Sequence, residues 1–372
     1  MERKVIVFAL EHYNPLGIIR GLGTMGIKPI YISVKRRYEA ASKSKYISKL
    51  HKVDSIQEGY DLLIREYGKE KEKPYLLFSD DKSIGFFDLC YDEWKDKFIS
   101  FNAGEQGRIN HFIDKFEIQR CAKRHGFNVL ESFIIHKGGT IPQNLWYPVI
   151  TKDISPNVGN WKADVYICNN EEELVGAMER IASNEIMVQH FVDKLNEIAL
   201  EGYSINKGED LHIVAQINYK YLIPGYYSPY MDVRNFNNPD IEKKLRSMFK
   251  ELGFVGIFEA EFIIDKDGTY YFMEMNFRAS AWNYACVEAG MSLPYLWCKA
   301  IGNGNINPDD RKEYEPFVAM SEVIDYAKRV EGGICSIGEW LKDFKEAKCT
   351  YIYNKDDLGP WEEACMNWDK FK

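Results

Sequence analysis

The segment Phe258–Arg278, FEAEFIIDKDGTYYFMEMNFR, gathers side chains that hold hard cations. Glu261 lies in its first half, Glu274 and Asn276 in its second. Two carboxylates and an amide oxygen suit Mg²⁺, which takes few protein groups and completes its shell with substrate phosphates. Arg278 follows at the same spacing, and a guanidinium holds a phosphate or steadies a transferring phosphoryl group. EAEFIID and TYYFMEMNF are rich in β-branched and aromatic residues, and Asp267-Gly268 between them signals a hairpin. Side chains repeat every two residues along a strand, so Glu274, Asn276 and Arg278 are expected on one face. The bland alternative is a solvated polar face on an edge hairpin.

Two lysines precede this hairpin, each of which taken alone reads as a solvated charge. Asp114-Lys115 opens a helix, and Tyr147–Lys152 is a strand that ends in lysine. At the end of an otherwise apolar strand, a lysine faces either an anion or a solvent edge. Near the N-terminus, Val5–Leu10 reads as a buried parallel strand, residues 15–23 as a helix and residues 29–34 as a second strand, a βαβ opening. Ligands sit at the carboxyl ends of strands in such sheets. Glu11, His12 and Asn14 are therefore substrate candidates, with a helix cap by Asn14 as the simpler role. Asp80, beside Asp81 after the strand Tyr75–Phe78, is a further candidate, and capping the next helix explains one of the two acids. Gly21-Leu-Gly23-Thr-Met-Gly26 matches a dinucleotide fingerprint but follows a helical pattern and precedes a strand, so it reads as a helix end and turn.

The remaining elements follow from periodicity. Residues 56–70 read as a helix, residues 98–102 as a short strand and residues 111–126 as a helix. Strands are expected at 131–136, 146–152 and 186–192, with a β-rich stretch over 197–223. Helices are expected at 171–183, 241–252, 281–290 and 293–301. A Trp-containing tail with β character follows from residue 317.

Composition narrows the class. The chain has 372 residues, 45% apolar and 28% charged, long enough for two or three packed lobes of an ordinary globular protein. A net charge of −8 gives no basic face for nucleic acid. The eight cysteines show no C-x-x-C pair and no zinc-like spacing, which fits reduced thiols and a cytoplasmic setting. The first residues do not read as a signal peptide, and no apolar stretch approaches a membrane span.

The order Lys115, Lys152, Glu261, Glu274-Met-Asn276-Phe-Arg278 resembles the ATP-grasp superfamily, over residues 1 to about 305. The resemblance implies an α/β ATP-grasp fold with a doubly wound N-terminal lobe at 1–107, a central lid lobe at 108–195 and a metal-carrying lobe at 196–316. Residues 317–372 form an extension with no role derived. It implies ATP and Mg²⁺ (or Mn²⁺) as cofactors, with Glu261, Glu274 and Asn276 on the metal and Lys115 and Lys152 on ATP phosphates. Gln189, His190, Phe191 and Val192 would receive adenine, His190 and Val192 through the backbone, and Glu197 would accept from ribose. Lys220, Arg234 and Arg278 would face the acyl phosphate or the substrate carboxylate. Two departures stand out. The usual glycine-rich phosphate loop is replaced by Ser155–Ala163, with one glycine, where Lys162 is expected to compensate by charge. Glu259 occupies a place where ligases joining two D-alanines carry arginine. The closest flavour is a carboxylate–amine ligase of the D-aspartate-ligase or carbamoyl-phosphate-synthetase-like kind. Its partners would be a small carboxylic acid and an amine, with a homodimer as the commonest assembly. Two alternatives are an ATP-grasp enzyme that uses bicarbonate or phosphorylates a carboxylate without amine transfer, and a non-catalytic nucleotide-binding protein.

Overall fold

The computed structural model describes residues 3–152, 165–223 and 228–371. Lys162, the rest of the loop 155–163, and Pro224-Gly225 lie outside the described residues.

The N-terminal region is a parallel sheet with helices on its faces. β1 (Val5–Leu10), α1 (Asn14–Gly23), β2 (Ile30–Val34), β3 (Lys49–Val53), α2 (Ile56–Tyr67), β4 (Tyr75–Phe78), α3 (Asp81–Leu89), α4 (Tyr91–Trp94) and β5 (Ile99–Ser100) follow in order. The strand order is β3-β2-β1-β4-β5, all parallel. β1, β2 and β4 are buried along nearly their whole length, which is why they read as continuous apolar runs. β3, KLHKV, is mostly exposed and polar, and its character as an edge strand is what hid it from the sequence reading. Gly21 and Gly23 are inside α1 and Gly26 sits in the turn after it at φ +77°, so this is the end of a helix and not a phosphate-binding turn.

The helix expected at 111–126 is two helices, α5 (Arg108–Ile113) and α6 (Lys115–Arg124). Asp114 breaks it, because its carboxylate accepts the amides of Phe116 and Glu117 at 2.9 and 3.0 Å and so caps α6. That cap places Lys115 at the first turn. β6 (Asn128–Val129) leads to a four-stranded sheet of β7 (Ser132–His136), β8 (Val149–Lys152), β9 (Ile167–Cys168) and β10 (Glu185–His190), ordered β7-β10-β8-β9, with α7 (Glu171–Arg180) packed against it.

The largest sheet has eight strands in the order β17-β16-β13-β12-β11-β14-β15-β6. β11 (Lys194–Ile205), β12 (Asp210–Tyr219), β13 (Tyr230–Arg234), β14 (Gly256–Asp265) and β15 (Tyr270–Asn276) form its centre. α8 (Pro239–Leu252) joins β13 to β14. It is capped by Asn238, started by Pro239 and ended by Gly253 in the left-handed region. α9 (Asn283–Glu288) and α10 (Leu293–Asn303) follow.

The tail is not an appendage. β16 (Phe317–Met320) pairs with β13, and β17 (Cys349–Thr350) pairs with β16. α11 (Glu322–Tyr326), α12 (Ile337–Glu346), α13 (Gly359–Met366) and α14 (Trp368–Phe371) complete it. Trp340 packs with Tyr230 and Met320 on the sheet. Arg20 of α1 is fully buried against the tail: its Nε donates to Asp357 at 2.8 Å and its terminal nitrogens donate to the carbonyls of Tyr351, Ile352 and Asp357. The tail therefore closes the C-terminal sheet and pins it to the first lobe.

Candidate active site

The β14–β15 hairpin forms as its sequence predicts. Glu259 pairs with Asn276 and Glu261 with Glu274 across it. Directly paired residues of an antiparallel ladder share a face. β11 adds Glu201, which pairs with Glu259. Five polar residues thus line one face of three adjacent strands in a largely buried setting. Arg278 lies just past the end of β15 and turns back: its Nη2 donates to Asn276 Oδ1 at 3.0 Å.

The electrostatics of this face call for a cation. Burial, reinforced by Glu274 and Glu259, pushes the Glu261 carboxyl well above its usual range. Burial and then Glu201 push Glu259 up to about 8, and burial pushes Glu201 up to about 8. Glu201 Oε1 accepts from Ser280, whereas its buried Oε2 has no donor among the described residues. Its neighbour is the Glu259 carboxyl, which donates only when protonated. Asn276 turns its amide nitrogen toward the acids, 2.8 Å from Glu259 and 3.0 Å from Glu261, so an N–H stands where positive charge is needed. Hard oxygen donors, crowded and short of counter-charge, fit Mg²⁺.

Arg278 is anchored from the first lobe. Asp81, the first residue of α3, takes its Nε and Nη2 in a two-point pair, both at 3.1 Å. Burial alone would lower the Arg278 pKa, but Asp81 and Glu259 raise it overall, so its charge is permanent.

Lys115 and Lys152 meet beside Glu274. Lys115 Nζ is 3.7 Å from Glu274. Lys152 is held down to about 8 by burial and by the charge of Lys115. Its Nζ donates to Gln189 Oε1 at 2.8 Å. Gln189 in turn donates to Gln119 and Ser132 at 3.0 and 2.9 Å, and Gln119 donates to the Met273 carbonyl at 3.1 Å. Two ammonium groups brought together with one carboxylate between them make a site for an anion.

The other expected residues are placed as follows. The Gln189 side chain is spent on Lys152, Gln119 and Ser132. The His190 amide is taken by the Glu131 carbonyl at 3.0 Å, which removes its N–H from an adenine edge. The Phe191 amide bonds Pro148 at 2.9 Å, and Val192 follows on the loop into β11. The His190 ring lies against Trp146, with centroids 3.6 Å apart. Glu197 pairs with Lys194 at the end of the acidic face.

Lys220 and Arg234 are not brought to this face. Glu261 pairs with Ala199, Ala199 with Ile217 and Ile217 with Val233, so Arg234 points to the opposite side of the sheet. Lys220 lies there too, over the Tyr230 ring and 3.3 Å from Asp232, which Arg234 also approaches at 3.7 Å. Adjacency in sequence misled here because a strand alternates its faces.

Two of the first-lobe candidates are structural. Glu11 is buried, with Oε1 accepting the amides of Ala40 and Ser42 at 2.8 and 3.2 Å and Oε2 accepting from Ser33. Asp80 caps α3 by accepting from the Ser83 amide at 2.7 Å, and it also accepts from the Leu10 amide at 2.9 Å. Asn14 is the first helical residue and not the cap; its Oδ1 is 2.9 Å from His12 Nδ1. His12 is lowered to about 3 by burial, with Arg36 and Arg278 adding to the effect. Of the four, His12 feels the charge of Arg278, and Asn14 is its hydrogen-bond partner.

Sequence reasoning missed Glu201, Asp81, Gln119 and Ser132. Glu201 had a signal, a lone acid inside the apolar run IALEGYSI. Asp81 was seen beside Asp80 without its role. Gln119 and Ser132 had none, because their contacts join residues far apart in the chain.

No protein-family model matches the sequence, and no curated protein matches it. Solved structures do match in shape. An L-amino acid ligase from Bacillus licheniformis superposes with a TM-score of 0.62 at 14% identity, covering 83% of this chain and 78% of that one. N5-carboxyaminoimidazole synthetase from Staphylococcus aureus gives 0.66 at 15%, covering 91% and 87%. The biotin carboxylase domain of Hydrogenobacter thermophilus 2-oxoglutarate carboxylase, in complex with MgADP, ADP and bicarbonate, gives 0.64 at 16%, covering 86% and 74%. At these identities the likeness is one of architecture, and it agrees with the three sheets and the hairpin described above: the chain has the ATP-grasp fold.

Proposed function

We propose that the protein is an ATP-dependent carboxylate–amine ligase that releases ADP and phosphate. The observation that carries this reading is the meeting of Lys115 and Lys152 with the crowded carboxylates of Glu261 and Glu274, an anion site touching a cation site. Mg-nucleotide triphosphate has that pattern of charge. The ligase and carboxylase names of the structural neighbours support the same chemistry.

In this reading Glu261, Glu274 and Asn276 hold Mg²⁺ (or Mn²⁺), which when bound neutralises charge on the phosphates. Asn276 would turn its amide oxygen to the ion. Lys115 and Lys152 hold phosphate oxygens, with Gln189 aiming Lys152, and Lys162 is assigned to the same anion. Adenine would lie along Phe191 and Val192, and Glu197 would accept from ribose hydroxyls. The substrate carboxylate attacks the γ-phosphorus, the bond to the ADP oxygen breaks, and an acyl phosphate forms. An amine then attacks the acyl carbon, phosphate leaves, and the amine gives up a proton as the amide forms. Arg278 steadies the negative oxygens in both steps, and Asp81 fixes its fork. His12 and Asn14, at the carboxyl end of β1, help choose the acid.

The test is release of ADP and phosphate from Mg-ATP with pooled carboxylic acids, with and without hydroxylamine. A hydroxamate is expected and identifies the acid. ADP formed with bicarbonate and no hydroxamate would favour the carboxylase-like alternative, which the bicarbonate-bound neighbour makes specific. ATP binding without turnover in any pool would overturn the ligase reading.

A further inference from the structure

Away from this site, side chains at the C-terminal end of α6 meet the last turns of α8, and three of ligand type come together there. Cys121 lies on the last turns of α6, and His125, four residues on, caps the C-terminus of that helix. Glu251 is on the last turn of α8. The Cys121 sulfur, one His125 ring nitrogen and one Glu251 oxygen all lie within 4.8 Å of one another. The spacing carried no signal in the sequence, because the third group arrives from an element far along the chain.

The surroundings hold these groups in place. His125 Nδ1 is 2.8 Å from Ser247 Oγ, and Nε2 is 2.7 Å from Glu251 Oε2. A hydroxyl on one ring nitrogen fixes the other for a ligand, as partners of metal-binding histidines do. Arg108 ties down the end of α8 by donating to the carbonyls of Glu251 and Leu252 at 2.6 and 3.0 Å. Cys121 is fully buried and its sulfur reaches no other cysteine in a disulfide. Arg124 pairs with Glu251, but its side chain is half exposed and has solvent to move into.

We propose that Cys121, His125 and Glu251 form a binding site for a transition-metal divalent cation of the Zn²⁺ class, with water as the fourth ligand. Sulfur, imidazole and carboxylate together suit Zn²⁺ and exclude Mg²⁺, which takes oxygen donors. On binding, the thiol proton goes to solvent, Arg124 releases Glu251, and His125 ligates through Nε2 while Nδ1–H donates to Ser247. The ion joins α6, whose first residue is Lys115, to α8 of the large lobe.

The experiment is titration of the chelator-treated full chain with Co²⁺ in the presence of Mg²⁺. One equivalent is expected to bind with a thiolate-to-cobalt charge-transfer band that Zn²⁺ bleaches. Cys121→Ser removes the band, His125→Gln abolishes tight binding, and Ser247→Ala weakens it about tenfold. Glu274→Gln leaves the band intact, which separates this site from the cleft. Because Cys121 is buried, circular dichroism checks folding, and the variant of the partly exposed ligand, Glu251→Gln, is expected to weaken Co²⁺ binding while keeping the thiolate band. Absence of the band in folded protein, or its persistence in Cys121→Ser, overturns the proposal.

Discussion

Two regions of this molecule bury carboxylates, and they do so in opposite ways. Glu11 and Asp80 in the first lobe meet backbone amides and serine hydroxyls on both oxygens. Glu201, Glu259 and Glu261 in the large lobe crowd one another and share few donors, chiefly Ser280 and one Asn276 amide, with Arg278 3.7 Å from Glu259, and one oxygen of Glu201 meets no donor among the described residues. Burial is similar, so burial does not distinguish the two. What differs is whether the fold itself supplies enough hydrogen-bond donors for the carboxylate oxygens. A satisfied buried acid stabilises a loop or a cap, while an unsatisfied set is kept at a cost to stability, which a cation from outside would offset under the function proposed above.

The sharpest way to break this contrast is to neutralise one acid from each region, Glu274 beside the crowded set and Glu11 in the first lobe. Glu274→Gln is expected to lower Mg-ATP turnover by at least ~100-fold, with melting in Mg²⁺-free buffer unchanged or raised. Near-normal turnover would remove Glu274 from the metal. Glu11→Gln should do the reverse: loss of about 1–3 kcal/mol in denaturant unfolding, from weakened bonds to the 40–42 loop, with kcat little changed in the folded fraction. If Glu11→Gln leaves stability intact and removes substrate selectivity instead, the structural assignment fails.

A smaller effect is expected where the two regions touch. Asp81→Asn leaves Arg278 charged but unclamped, so kcat should fall by roughly tenfold with ATP affinity retained. An equal fall in ATP affinity would mean that Asp81 acts on nucleotide directly.

Lys152 provides a pH test of the anion site. Its pKa in the free protein is about 8, and a bound phosphate raises it. Binding therefore takes up a proton, and ATP affinity should weaken as pH rises through 8, by up to about tenfold between pH 7 and 9. Lys152→Met should bind ATP weakly and lose this dependence. A flat profile in the unaltered protein would place Lys152 away from phosphate. The smallest effect belongs to Lys220→Met and Arg234→Met, on the far face of the sheet, where turnover should stay within about twofold of normal.

The elements of the site were legible because their signals are local. The β14–β15 hairpin announces itself by alternation and a turn, and the pair Asp114-Lys115 by a capping residue, although the same cap split a helix that periodicity alone would have run together. The tail and β3 were poorly legible for another reason. Their stability comes from partners distant in the chain, Arg20 for Asp357 and β2 for β3, and short polar segments carry little pattern of their own.

By itself, then, the sequence determined the hairpin, the alternation that puts Glu274 and Asn276 on one face, and the order of cationic and acidic residues that resembles ATP-grasp enzymes. Only the tertiary structure decided that Glu201 joins those acids, that Asp81 clamps Arg278, that Gln189 serves Lys152, and that Lys220 and Arg234 face away. The physical reason is that periodicity sets the side from which a residue leaves its own strand or helix, whereas its counter-charge comes from whichever element packs against that side, and packing is a property of the whole chain.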